Sequence, residues 1–374
     1  LNSNNGNITL GGTLNSRNAI TQQPLTLIAG VGDISFVSAV GSVFRLGAVT
    51  VTSAATVLAS STFTAESFTQ TSGSVITTFS DRINLTRAFD FTGTALNING
   101  LGANVVGSNA LAGFLFGMNV TNTGLFTTAV GANLSVGNDF TQDGSGPNSI
   151  GGNIASTHDG IAFGAAVTLR NNVTMITSAG LGDDILFSDT VDGFQTLSLT
   201  AGLGDVTFTG AVGEESPLIS VTVVSVVNLS AGGDVAQETF NAGTLTLTSV
   251  TGTATFTGAL NLTTLSATGG VNNFLSTGTD GTIVSLVAFT NTGDLTLGQE
   301  GGTQAFTNGL VTTLASLGVG DVVTMNGTFT TTDAAITQAS ITLGSNVVYE
   351  FNNTLTVGAV TGADFDLTAT VADL

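Results

Sequence analysis

Residues 196–213 read TLSLTAGLGDVTFTGAVG, and this stretch shows most clearly the pattern from which the fold is predicted. Two short runs in it, 196–200 and 206–209, alternate polar and apolar residues, which is the period-two pattern of strands with one buried face. Between them lies GLGD at 202–205, where glycine permits a turn with positive φ and Asp205 is expected to bond its own backbone. The stretch therefore predicts two short strands joined by a tight corner.

The same arrangement recurs along the chain. Glycine pairs followed by aspartate and a strand also occupy residues 30–36, 180–185 and 318–323. Gly182 and Gly204 lie 204 − 182 = 22 positions apart, and imperfect repeats of this length made of short strands are typical of stacked folds, here roughly 17 coils. We therefore predict an all-β, elongated parallel β-solenoid (a right-handed β-helix) with imperfect coils of roughly 20–30 residues.

The same pattern of short strands and glycine-rich turns continues along the chain, and the predicted domain organisation follows from it. We predict one continuous solenoid over residues 1–374 and allow for an irregular loop insertion at 142–160, where glycine and proline cluster. Residues 314–317 read equally well as a helical turn or a strand. The chain begins with Leu1 rather than Met, so we expect a mature product or a slice of a longer protein.

The composition excludes several classes of function. The chain has 374 residues, with 5 arginines, no lysine, 25 acidic residues and a net charge of −20. Such an acidic surface repels phosphate, so we expect no nucleic-acid partner. The absence of lysine and cysteine excludes a lysine Schiff base, thiolate chemistry and disulfides. No run approaches the ~20 apolar residues of a transmembrane helix, so we expect no membrane span in this segment.

Residues 196–213, followed by Pro217 and Leu218, resemble the units of large bacterial surface proteins of the filamentous-haemagglutinin-like, β-strand-repeat kind. The resemblance is clearest over Gly180–Leu260. It implies a right-handed β-helix in a secreted or surface-attached protein that serves adhesion or builds an extracellular fibre, and it carries no catalytic residues. We therefore expect a non-enzymatic structural protein of the cell exterior, forming a rod in a surface fibre, adhesin stalk or surface layer.

The expected partners follow from the edges of such a fold. Strand-like sequence continues at 341–343 and 354–357, and an open strand edge offers unpaired backbone groups to another strand. We therefore expect end-to-end β contacts, either with adjoining repeats of a longer chain or with other copies. Surface glycans are a further candidate partner.

One segment suggests a metal. Residues 179–187 read AGLGDDILF and resemble one nonapeptide of the calcium-binding toxin repeats, whose turns place carboxylates and carbonyls around the ion. The candidate calcium ligands are Asp183, Asp184, Asp189 and Asp192. A solvated aspartate turn is the alternative, because the next copy has Val206 where a ligand would stand. Calcium is the only cofactor that the sequence suggests.

Other polar residues predict ordinary surface features. His158 and the pair Glu214–Glu215 are each expected in a solvated turn. Arg82 and Arg87 lie between two aspartates and predict a local ion-pair patch.

Two alternatives to the structural role stay open. A carbohydrate-binding or carbohydrate-cleaving β-helix, a lyase or tailspike-like protein, would bring several of the four candidate aspartates beside an arginine in one groove. A calcium-dependent adhesion module would use the same aspartates as metal ligands.

Overall fold

A computed structural model describes residues 1–107, 116–178, 180–232, 238–267, 270–312, 321–362 and 364–371. These residues form strands and turns with no helix, and they divide into two compact units, Leu1–Asp189 and Thr190–Leu374. Together the units comprise about 15 turns of parallel β-solenoid, which matches the right-handed β-helix predicted from the sequence.

Twenty described strands belong to the first unit. They are β1 Ile8–Leu10, β2 Leu25–Ile28, β3 Ile34–Phe36, β4 Leu46–Ala59, β5 Phe63–Gln70, β6 Gly73–Phe79, β7 Ile83–Leu85, β8 Phe89–Gly93, β9 Ala95–Ile98, β10 Gly102–Val106, β11 Met118–Asn122, β12 Phe126–Thr128, β13 Ala132–Val136, β14 Phe140–Gln142, β15 Asn148–Ile150, β16 Ile154–Ser156, β17 Ile161–Phe163, β18 Val167–Leu169, β19 Val173–Ile176 and β20 Ile185–Phe187.

The second unit also has twenty described strands. They are β21 Val191–Asp192, β22 Thr196–Thr200, β23 Val206–Phe208, β24 Leu218–Ser225, β25 Leu229–Ala231, β26 Phe240–Leu247, β27 Val250–Phe256, β28 Leu260–Ala267, β29 Val271–Ser276, β30 Gly281–Ile283, β31 Val287–Ala288, β32 Leu295–Leu297, β33 Thr303–Phe306, β34 Leu310–Thr312, β35 Val323–Thr330, β36 Ile336–Gln338, β37 Ile341–Phe351, β38 Leu355–Val357, β39 Val360–Thr361 and β40 Leu367–Val371.

In the first unit each coil has three sides, and each side stacks on the same side of the next coil. From β7 onward, one side runs β7–β10–β13–β16–β19, another runs β8–β11–β14–β17–β20, and the third runs β9–β12–β15–β18, all with parallel pairing. Residue Leu134 pairs with Ile154, 154 − 134 = 20 positions later. Phe89 pairs with Met118, 118 − 89 = 29 positions later. The number of residues per coil therefore varies from coil to coil, as predicted.

In the second unit the pairing again joins successive coils in parallel. One side runs β22–β24–β26–β28–β30–β33–β35, and another runs β23–β25–β27–β29–β32–β35. The strands β31, β34, β36 and β38 form a separate four-stranded side, and β37 pairs with β35, β39 and β40.

Inward side chains of successive coils stack into columns that form the core. In the first unit Phe126, Phe140, Phe163 and Phe187 follow one another with ring centroids 6.1, 5.1 and 5.7 Å apart. All four rings are fully buried. Phe163 and Phe187 occupy the same position in successive coils, whereas Phe140 lies at another position of that side and Phe126 lies on another side. Inward rings from different sides therefore meet in one core, which aromatic contacts stabilise further.

Asparagine and aspartate side chains at the coil corners join one coil to the next. Asp205 precedes β23, and its Oδ1 accepts a hydrogen bond from the backbone N–H of Asn228, 2.8 Å away, one coil later. Asn228 Oδ1 in turn accepts from Thr253 N at 3.0 Å. In the first unit Asn133 Oδ1 accepts from Asn153 N at 2.8 Å. The corner side chains therefore extend the backbone ladder by one more bond.

The structure of these corners can be compared with the turn predictions. Gly30 and Gly202 have positive φ, at 62° and 63°, as the turn prediction required. The prediction that Asp205 bonds its own backbone was incomplete, because its oxygen caps the coil above. Of the fourth GxGD copy, residues 318–320 lie outside the described part of the chain, as do residues 314–317.

Two expectations need correction. The estimate of roughly 17 coils was too high, because about 15 turns over 374 residues give about 25 residues per turn. The segment 142–160, allowed as an irregular insertion, is instead wound into the coils: β15 pairs with β18 and β16 with β13. Buried amide side chains there replace apolar ones, which hides the strand pattern in the sequence. The single solenoid over residues 1–374 remains a prediction.

Candidate functional site

The loop before β20 contains two of the candidate calcium ligands, in different environments. The Asp183 carboxylate is buried and accepts hydrogen bonds from the Ser178 hydroxyl and from Gly180 N, the latter at 2.9 Å. Its backbone carbonyl accepts from Thr177 Oγ1 at 2.6 Å. Asp184 is exposed, and its carbonyl accepts from Ile161 N. Asp183 therefore closes its own turn.

The other two candidate ligands also differ in exposure. Asp189 is exposed, whereas Asp192 is buried. Oδ1 of Asp192 accepts hydrogen bonds from Glu215 N and Ser216 N, both at 3.0 Å. Across the described ranges, no group of three or more His, Asp or Glu side chains lies close enough to hold a metal ion. Calcium binding by these four aspartates stays a prediction.

The remaining acidic and basic candidates lie in turns. His158 is exposed, and its Nδ1 lies 3.0 Å from both Thr157 Oγ1 and Gly137 O. Glu214 and Glu215 are exposed in the turn that Asp192 closes. These positions agree with the solvated turns expected from the sequence.

The arginines do not form the ion-pair patch that the sequence suggested. Arg87 pairs with Glu66, one coil earlier, at 2.8 Å between Nε and Oε1, and lies 5.5 Å from the centre of the Phe116 ring. The Asp81 carboxylate accepts from the backbone N–H of Arg82 rather than from its guanidinium. The partner of Arg87 comes from β5 of the preceding coil, so adjacency in the sequence did not identify it.

Arg45 joins two coils through backbone carbonyls. Its Nη1 donates to Ala65 O at 2.8 Å and to Asn84 O at 2.9 Å, and its Nη2 donates to Asn84 Oδ1 at 3.3 Å. Burial lowers the pKa of Arg45 from its usual value. The guanidinium therefore holds the Asn84 side chain in place by donating to its Oδ1.

A polar groove of about 540 Å³ runs over the outer face of the sheet beside Asn84. Its lining comes from four successive coils: Gly41, Ser42, Thr62, Thr64, Arg82, Ile83, Asn84, Ala103 and Val105. We call it the Arg82 groove. None of its lining residues is acidic. The sequence did not reveal it, because Thr64, Asn84 and Val105 are far apart in the chain and become neighbours only through the pairing of successive coils.

Two further surface grooves allow a comparison. One of about 520 Å³ in the first unit is lined by Leu14, Asn15, Arg17, Gln23, Pro24, Leu25 and Leu46. One of about 410 Å³ in the second unit is lined by neutral residues, among them Asn241, Asn261 and Thr282. None of the three grooves is lined by any of the four candidate aspartates. The arrangement expected for the lyase alternative is therefore not found in them.

The last described coil of the second unit leaves inward side chains uncovered. Strand β40 pairs with β37, so that Leu367, Ala369 and Val371 extend the column of Val347, Tyr349 and Phe351. The β37 residues are buried, whereas Leu367 is 37% and Val371 is 67% exposed. This coil presents an apolar surface and a strand edge in the same place.

No family model, curated protein sequence or solved structure matches this chain. The fold itself defines the class: a parallel β-solenoid repeat protein. Among its described residues there is no helix with the length and apolar character needed to cross a membrane.

Proposed function

We propose that this chain is a non-enzymatic structural segment of a protein of the cell exterior, part of a surface fibre, an adhesin stalk or a surface layer. Support comes from the construction of both units from stacked coils and from the resemblance of residues 196–213 to bacterial surface repeats. A composition with 8% charged residues and 50 glycines suits stacked coils.

The observation that carries the proposal is the in-register pairing of successive coils. Phe140 pairs with Ile161, which pairs with Ile185, and the neighbouring residues keep the same register. Such pairing uses backbone groups that every coil possesses, so it can be repeated without a specific side chain. A fold of this kind is suited to extension by addition of further coils.

The last described coil is the place where extension is best tested. Its exposed residues Leu367 and Val371 can pack against a further coil, and β40, which among the described strands pairs with β37, can pair with a further parallel strand. That coil is supplied by the adjoining part of a longer chain or by another copy of this one.

The test compares Val371→Asp with Val31→Asp by sedimentation velocity over a range of protein concentrations. Val371 is 67% exposed on the uncovered coil, and Val31 is 75% exposed at a turn, so the two changes are matched in exposure and charge. We expect the wild-type chain and Val31→Asp to self-associate with increasing concentration, and Val371→Asp to remain monomeric. A wild-type chain that stays monomeric throughout would contradict assembly between copies.

Location is tested separately. Protease treatment and antibody labelling of intact source cells should reach this segment if it lies outside the cell. Protection until the cells are lysed would contradict an exterior role.

A further inference from the structure

The Arg82 groove combines unoccupied hydrogen-bond donors with a lining that contains no acidic residue. Residues 1–107 contain four arginines and four acidic residues, so their charges sum to 4 − 4 = 0, while the remaining residues carry 1 − 21 = −20. The groove therefore lies in the part of the chain where an anion meets the least repulsion.

The groove is rich in donors. Among the described residues, the Arg82 guanidinium forms no hydrogen bond or ion pair. Asn84 has its oxygen held by Arg45, which leaves its amide N–H groups to face a ligand. The hydroxyl groups of Thr62 and Thr64 likewise have no partner in the described part of the chain. A guanidinium, an amide and hydroxyls together match a ligand with anionic and hydroxyl oxygens.

The size of the groove favours a chain of linked groups over a single small ion. Its lining residues come from four coils, and three spacings of ~4.8 Å between parallel strands give about 14 Å. Its volume of about 540 Å³ lies within the range of ligand pockets. Ala103 and Val105 add a small apolar floor against which the C–H faces of a sugar ring can pack.

We propose that the Arg82 groove binds an anionic polysaccharide, with Arg82 holding its carboxylate or sulfate groups and Thr62, Thr64 and Asn84 bonding its hydroxyl groups. Arg45 is a positioning residue that orients Asn84. The neutral groove of the second unit has no arginine and is not expected to bind such a chain.

The proposal is tested by isothermal titration of the whole chain with polygalacturonate, dextran sulfate and neutral dextran. The variants are Arg82→Gln and, as a matched control, Arg170→Gln, which removes an exposed arginine of the same unit that lines none of the three grooves. We expect at least one anionic polysaccharide to bind, neutral dextran not to bind, and Arg82→Gln to weaken binding about tenfold or more, since it removes charge-assisted hydrogen bonds. Arg170→Gln should change affinity less than about twofold.

The two anionic probes distinguish carboxylate from sulfate recognition. Absence of binding to both probes, or equal loss in the two arginine variants, would overturn the proposal. Poly-L-glutamate that binds as tightly, with the same dependence on Arg82, would overturn the assignment to a saccharide. The Val371→Asp variant should bind like the wild type, so failure of assembly and failure of this site are distinguishable.

Discussion

A single carboxylate at a coil corner stabilises the fold across coils. Asp205→Ala leaves the part-buried backbone N–H of Asn228 without its acceptor, and we expect a loss of about 1–3 kcal/mol in unfolding free energy. Asp205→Asn keeps an oxygen at the same place and should cost less than about 1 kcal/mol. Urea unfolding measures the loss, and hydrogen exchange at the Asn228 amide localises it. Equal destabilisation by Asn and Ala would show that the carboxylate's charge matters more than its capping bond.

The pKa of Tyr349, the only tyrosine of the chain, depends on the burial of its side chain. Tyr349 is fully buried and donates to Gln338 Oε1, and burial raises the pKa of its hydroxyl above the usual value near 10. Because only the neutral form fits the folded state, its stabilisation is complete below the unfolded pKa near 10 and is lost as the pH rises above it.

We therefore expect the phenolate absorbance of the folded chain to stay low through pH 10 and to rise only as the chain unfolds. In urea it should titrate near pH 10. Tyr349→Phe should destabilise the protein near neutral pH and reduce the loss of stability above pH 10. A normal phenolate titration in the folded protein would contradict the buried position.

Close approach of backbones at the corners limits which residue can stand there. A Cβ on Gly258 would lie 1.4 Å from Glu238 O, and one on Gly278 would lie 1.8 Å from Gly258 O. Gly258→Ala must therefore push neighbouring coils apart, and we expect a loss of about 2–4 kcal/mol in stability. At Gly12 an added Cβ meets nothing within 4 Å, so Gly12→Ala should be neutral within about 0.5 kcal/mol. Thermal unfolding followed by circular dichroism compares the two, and similar midpoints would contradict the close packing of the corner.

Alternation along a strand predicted most inward residues, but it failed where polar residues turn inward. Gln142 and Asn148 are buried, with Gln142 Nε2 donating to Asn122 Oδ1 at 2.8 Å and Asn148 Nδ2 donating to Gln142 Oε1 at 3.0 Å. These residues come from two successive strands of one coil and from one strand of the preceding coil, so the reading of residues 142–160 one strand at a time could not reveal the contacts. A buried polar network is stable only when its members satisfy one another, and that depends on the register.

Over the whole chain, repeats and periodicity were sufficient to predict the solenoid, because stacking requires only similar strands at similar intervals. They could not predict the Arg82 groove, which depends on which outward residues meet across coils of unequal length. Thr64, Asn84 and Val105 become neighbours only once the pairing is known, 84 − 64 = 20 and 105 − 84 = 21 positions apart. The corner bonds of Asp205 and Asn228 depend on register in the same way.

The distribution of charge predicts how the two units respond to salt and to calcium. Residues 1–189 carry 5 − 10 = −5, whereas residues 190–374 have fifteen acidic residues and no lysine or arginine, so they carry −15. Like charges repel less at higher ionic strength, so added NaCl should raise the melting temperature. The rise should be larger for the second unit expressed alone, if it folds. In hydrogen exchange of the whole chain, added NaCl should increase protection more for peptides of the second unit.

If the aspartates at 183, 184, 189 and 192 bind calcium, the ion must stabilise the protein by more than the screening of charge repulsion. At matched ionic strength CaCl₂ would then raise the melting temperature beyond MgCl₂ and NaCl, and Asp184→Asn would remove that excess. Calcium binding therefore predicts a calcium-specific rise that Asp184→Asn abolishes, and that result would support the calcium-dependent adhesion module. Equal rises in CaCl₂ and MgCl₂ would contradict it and indicate screening alone, with the Asp183 and Asp192 carboxylates serving only the nearby N–H groups.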